Sequence, residues 1–151
     1  MCGIAGFVNL DGAPPDAGVL EAMTDMVRHR GPDDRGTLCL SLRGGAPDVA
    51  LGFQRLAILD RPTRARQPMI SPDGSVALLF NGEVYDAPEL RAELESDGYR
   101  FRTSTDTEVV LALYEHLGLE RMLQRLDGMF AVVIADMRRG VVHLLRDRIG
   151  I

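Results

Sequence analysis

Val76-Ala77-Leu78-Leu79-Phe80-Asn81 sets five apolar side chains in succession and closes them with an asparagine. An apolar run of this length, without polar alternation, is the pattern of a strand of the buried type. Ser71-Pro72-Asp73-Gly74 before it reads as a turn. Upstream, residues 4–10 read as a strand, ended by Asp11-Gly12 and by Pro14 and Pro15. Val19, Leu20, Met23, Met26 and Val27 then recur at helical spacing, with Asp16 placed to cap that helix and Gly31-Pro32 to stop it. Residues 37–42 and 49–59 read as strands joined by a glycine-rich polar loop over 43–48. Downstream, Pro88 suits the first turn of a helix reaching Asp97, and Gly98 suits its C-terminal cap. Residues 99–103 alternate like a strand.

Thr105-Asp106-Thr107-Glu108 fits the Ser/Thr-x-x-Glu capping box. It opens a helix through Val109, Val110, Leu113 and Leu117, which Gly118 ends. A shorter helix carries Leu119, Met122, Leu123 and Leu126. Residues 130–135 and 141–145 form a hairpin around Arg138-Arg139-Gly140. Strands come in groups with helices between the groups. That order favours an α+β fold with antiparallel pairing over a doubly wound parallel sheet.

At 151 residues the chain suits one domain, and its 46% hydrophobic content supports a real core. A net charge of −5 argues against a nucleic-acid or anionic-membrane partner. Two cysteines, Cys2 and Cys39, make no disulfide framework, and Cys39 within a strand reads as a small core residue. The apolar stretch after Cys2 is too short for a membrane span and lacks the basic start of a signal peptide. A cytoplasmic location follows, where a thiol stays reduced.

The chemistry starts at Cys2. Removal of Met1 is expected, because the next residue is small, and Cys2 then carries both a thiol and a free α-amine. An α-amine titrates at about 7.7–8.0 and a thiol at about 8.5, so near neutral pH the amine can take the thiol's proton. An N-terminal amine serving as base for its own side chain is an established route to an activated nucleophile. Attack on a carbonyl creates an oxyanion that requires fixed donors. Asn81-Gly82 offers a side-chain NH2 and a close-lying backbone N–H, although Asn-Gly is also the strongest short hairpin signal. Arg55 sits inside an apolar strand and needs a carboxylate, from within the protein or from a substrate. Glu83 and Asp106 can bind an ammonium group, or serve as a turn residue and a helix-start carboxylate. His29, His116 and His143 are too scattered to make a Cys-His pair readable. A nucleophile, an oxyanion pair, a guanidinium and an acid together describe an amino acid with an acyl side chain, and glutamine fits.

The chain resembles the N-terminal glutaminase domain of class II glutamine amidotransferases, and more narrowly that of asparagine synthetases. The resemblance rests on Met1-Cys2-Gly3-Ile4-Ala5-Gly6, His29-Arg30-Gly31-Pro32-Asp33, Arg55-Leu56-Ala57-Ile58-Leu59-Asp60 and Gln67-Pro68. It continues through Asn81-Gly82-Glu83-Val84-Tyr85, Thr105-Asp106-Thr107-Glu108, Asp127-Gly128-Met129-Phe130-Ala131 and Arg146-Asp147-Arg148-Ile149-Gly150. It implies an Ntn-hydrolase fold, a four-layer α-β-β-α sandwich over residues 1–151, with the C-terminal part of the sheet missing. It implies Cys2 as nucleophile and Asn81 and Gly82 as oxyanion hole. Arg55 would hold the substrate carboxylate, with backbone from Leu56, Ala57, Ile58 and Leu59 lining the pocket. Asp106, assisted by Glu83, would hold the ammonium.

Phe53 and Ala57 depart from the family pattern, where histidine and serine are common. The resemblance implies no cofactor or metal for this domain. ATP and magnesium belong to a synthetase domain, absent here, that acts in cis or in trans and amidates aspartate with the ammonia released. It also allows a homodimer of the full-length protein. The alternatives are a non-catalytic amino-acid-binding or docking module, and the amidotransferase domain of a related synthetase with another acceptor.

Overall fold

The structure, a computed structural model, describes residues 2–56 and 66–150. Two antiparallel sheets make its centre. The first holds β1 (Gly3–Val8), β2 (Asp34–Leu40) and β3 (Val49–Arg55), in the order β1-β3-β2. The second holds β4 (Met69–Ile70), β5 (Val76–Val84), β6 (Gly128–Asp136) and β7 (Val141–Arg146), in that order. Among the helices, α1 (Ala17–Met26) covers the first sheet, while α2 (Ala87–Ser96), α3 (Asp106–Leu117) and α4 (Leu119–Arg125) lie on the second.

Strand alternation explains the layering. In β5, Val76, Leu78 and Phe80 join Leu90, Leu94 and Met122 in the core under the helices. Ala77 and Leu79 point the other way, into a second core shared with Leu51 and Phe53 of β3 and with Ala135 of β6. The unbroken apolar run thus reflects burial on both faces of β5. In β3 the odd residues face the second sheet. The even ones face α1, where a β-carbon on Gly52 would collide with the Thr24 side chain and Gln54 Nε2 donates to the Thr24 carbonyl at 3.2 Å. The layer order is α-β-β-α. Asp16 caps α1 by accepting from the N–H groups of Gly18 and Val19.

Several expectations need correction. Residues 99–103 form no strand. Glu108 is fully buried, and its carboxylate accepts the Arg102 and Thr103 N–H groups and the Thr103 hydroxyl. Those donors are therefore lost to any ladder. The same demand undoes the capping box: Thr105 is the N-cap residue of α3 but its side chain makes no cap bond. One buried carboxylate recruits the preceding loop instead. Cys39 is exposed on the edge strand β2 rather than in the core. Asn81-Gly82 is no hairpin turn, because β5 runs three residues past Asn81. Helix α1 ends at Met26, and a 3-10 turn over Arg28–Arg30 precedes Gly31. Of the strand expected over 49–59, residues 57–59 lie outside the described residues and β3 ends at Arg55.

Candidate active site

The site lies at one end of the space between the sheets, where β1 starts, β3 ends and β5 passes its midpoint. Asn81 continues the Ala77–Leu79 alternation, so its side chain faces the first sheet. There its Oδ1 accepts the Cys2 backbone N–H at 2.9 Å. The NH2 group of Asn81 makes no hydrogen bond among the described residues.

The Cys2 sulfur meets the first residue beyond β3. Leu56 N–H donates to Sγ at 3.4 Å, and the thiol hydrogen points to the Leu56 carbonyl at 3.8 Å. Three residues far apart in sequence, Cys2, Leu56 and Asn81, are thus brought together.

Arg55 is buried, with 6% of its surface exposed, immediately before Leu56. Phe53, two residues earlier on the same face of β3, is in the core between the sheets. The Gly31-Pro32-Asp33 segment is pressed onto this strand end. A β-carbon on Gly31 would overlap the Gln54 carbonyl, and Asp33 N–H donates to the Arg55 carbonyl at 3.0 Å.

Gly82 has a steric requirement of its own. A β-carbon there would strike the Met129 carbonyl and the Phe130 backbone of β6. Glu83 is exposed at the next position. Asp106, the first residue of α3, accepts the Val84 N–H at 3.2 Å. Burial pushes its carboxyl above the usual aspartate range, against hydrogen bonds from Val84, Thr107 and its own N–H, and the Glu83 charge adds to the rise. Two neighbouring carboxylates, one of them desolvated, favour a cation between them. Ala57, Ile58 and Leu59 lie outside the described residues.

Arg30 was not singled out in the sequence. Its Nε donates to the Cys2 carbonyl at 3.0 Å, so the Cys2 main chain is held at its carbonyl by Arg30 and at its nitrogen by Asn81. The motif around Arg30 drew attention to His29, which is exposed and, among the described residues, hydrogen-bonds to the Met26 carbonyl at 3.2 Å. The usable signal was the arginine next to it. No histidine hydrogen-bonds Cys2 among the described residues.

A cysteine between two sheet ends, with its nitrogen held by an asparagine, can be set beside known proteins. Residues 1–151 match the family described as a glutamine amidotransferase domain. The chain belongs to that family. A glutamine-hydrolysing asparagine synthetase 2 from Bacillus subtilis is 38% identical over 155 residues, covering all of this chain and 19% of that protein. A glutamine-hydrolysing asparagine synthetase 2 from Oryza sativa subsp. japonica is 40% identical over 152 residues, covering all of this chain and 24% of that protein. The chain therefore spans a quarter or less of these curated relatives. Among solved structures, the glutamine phosphoribosylpyrophosphate amidotransferase from B. subtilis superposes with a TM-score of 0.71 at 21% identity. That match covers 97% of this chain and 36% of that one. The glutamine amidotransferase domain thus has the Ntn-hydrolase fold, and its four layers are those described above.

No helix among the described residues is long and apolar enough to cross a membrane.

Proposed function

We propose that this domain hydrolyses glutamine to glutamate and ammonia through a thioester on Cys2. The observation that carries the reading is the hydrogen bond from Cys2 N to Asn81 Oδ1. It fixes the nitrogen beside its own sulfur, and it leaves the NH2 of Asn81 as the group available to an oxyanion.

With Met1 removed, the Cys2 α-amine takes the thiol proton. Sγ then bonds to the side-chain carbonyl carbon of glutamine, and the carbonyl oxygen becomes an oxyanion held by the Asn81 NH2 and the Gly82 N–H. The protonated amine returns its proton to the substrate nitrogen, the C–N bond breaks, and ammonia leaves. Water attacks the thioester, the amine accepts one of its protons, and glutamate departs as the sulfur is released. Arg55 holds the α-carboxylate, with Leu56 beside it, and Asp106 with Glu83 holds the α-ammonium.

In the full-length protein the ammonia passes to an ATP-dependent amidation of aspartate. The names and 38–40% identities of the curated relatives support this acceptor. The free cysteines suit a reducing cytoplasm. The test is glutamate release from glutamine by the protein and by Cys2→Ala, followed by asparagine formation when aspartate and ATP are added. Cys2-dependent release is expected, and equal release by both proteins overturns the reading.

A further inference from the structure

Gln67, part of the Gln67-Pro68 motif, has no role in the mechanism so far. Its side chain is nonetheless buried and fully engaged. Oε1 accepts the Phe80 N–H at 2.6 Å, while Nε2 donates to the Phe80 carbonyl at 3.0 Å and to Thr107 Oγ1 at 3.3 Å. One amide thus satisfies both main-chain groups of a strand residue, as a neighbouring strand would. On its other side, the Gln67 carbonyl occupies the space a β-carbon on Gly36 would need, so the residue is seated directly on β2. Gln67 therefore touches the first sheet, the second sheet and α3 at once.

The two partners of the amide adjoin the candidate site. Phe80 precedes Asn81, and Thr107 follows Asp106. We propose that Gln67 is a positioning residue for glutamine hydrolysis, setting the oxyanion donor on β5 at a fixed distance from the ammonium acceptor on α3. This rests on the function proposed above. Gln67 itself touches no substrate. It acts because a displacement near 1 Å of a catalytic group can reduce the rate by roughly 100-fold.

The experiment is steady-state glutamate release by the intact protein and by Gln67→Met, Gln67→Glu, Thr107→Val and Cys2→Ala, with a thermal melt for each. Gln67→Met, which keeps the bulk and loses every polar contact, is expected to lower kcat/KM by about 100-fold, through both kcat and KM. Thr107→Val frees only the α3 end and should raise KM by about three- to tenfold while kcat stays within roughly twofold. Gln67→Glu keeps the acceptor for Phe80 N–H and regains a donor only when protonated. Its kcat/KM relative to wild type should therefore rise as pH falls, which a merely structural residue would not show.

A folded Gln67→Met protein with wild-type kcat and KM overturns the proposal. Should that variant fail to fold, wild-type kinetics in Thr107→Val and a flat pH ratio in Gln67→Glu overturn it equally. Identical glutamate release by wild type and Cys2→Ala overturns the glutaminase reading and this role with it. A Cys2-dependent activity indifferent to Gln67 overturns the positioning role alone.

Discussion

Cys2 N–H and Asn81 Oδ1 are joined by a 2.9 Å hydrogen bond across the gap between the two sheets, 79 residues apart in the chain. The bond does two things at once. It holds the nitrogen proposed above as the base, and it commits the Oδ1 end of the Asn81 amide to Cys2, leaving the NH2 end for the proposed oxyanion.

Asn81→Asp tests that orientation. The carboxylate still accepts from Cys2 N but brings negative charge where a donor is required. We expect kcat to fall by about 100- to 1000-fold with KM little changed, read by glutamate release.

Arg55→Lys tests the carboxylate clamp. Lysine keeps the charge and loses the planar fork that binds a carboxylate through two parallel bonds. KM for glutamine should rise about tenfold while kcat holds, and a substrate analogue lacking the α-carboxylate should show no difference between the two proteins.

Asp106 predicts a pH dependence with a definite sign. Burial, opposed by the Val84 and Thr107 hydrogen bonds and aided by the Glu83 charge, raises its pKa. Binding an ammonium needs the ionised form, so kcat/KM should fall on the acid side above the ordinary aspartate value of about 3.9. Linkage runs the other way for stability. A carboxyl whose pKa is raised on folding costs stability at neutral pH, and that cost is relieved as pH falls through the folded pKa. Asp106→Asn should therefore melt higher at neutral pH, bind glutamine more weakly and lose the acid limb. Thermal melts and a kcat/KM profile check both halves.

Tyr114→Phe should separate stability from activity. The Tyr114 hydroxyl donates at 2.8 Å to Asp136, a carboxylate with no exposed surface that Arg139 also holds. Asp136 pairs with Val76, whereas Ala131 pairs with Asn81, which puts the network about 17 Å along the strand from the site. Loss of the hydroxyl should reduce unfolding free energy by about 1–2 kcal/mol and leave kcat/KM unchanged.

Much of this was legible in the sequence because it depends on periodicity. Val76 to Phe80 announced a strand buried on both faces, Asp16 and Pro88 marked the starts of helices and Gly118 the end of one, each where the structure has it. What failed did so where tertiary demands override local preference. Glu108 takes the Arg102 and Thr103 N–H groups, and Leu94 the Tyr99 N–H, that a strand over 99–103 would have used. Asn81-Gly82 resembles a turn in isolation but is held straight by pairing with Ala131 and Phe130.

The site was legible as a set of residue types but not as a geometry. Cys2, Asn81, Arg55 and Asp106 had reasons of their own to be noticed. Arg30 and Leu56 act through contacts with Cys2 that only the folded chain creates. Gln67 carries no catalytic chemistry in its side chain, so nothing short of its three partners would have shown its place.

Within residues 1–151 every basic side chain but the three histidines is arginine, so this domain has no lysine amine to compete with the one at its terminus. An amine-selective acyl reagent can therefore block the proposed base of this domain without touching another of its side chains. The decisive measurement is peptide mass spectrometry after treatment with a diazoketone analogue of glutamine, with and without prior acylation of the amine. A single adduct on Cys2 in a chain lacking Met1, suppressed by glutamine and by acylation, is the expected result. Labelling at Cys39, or full labelling and turnover with Met1 still in place, would contradict a sulfur activated by its own residue's nitrogen.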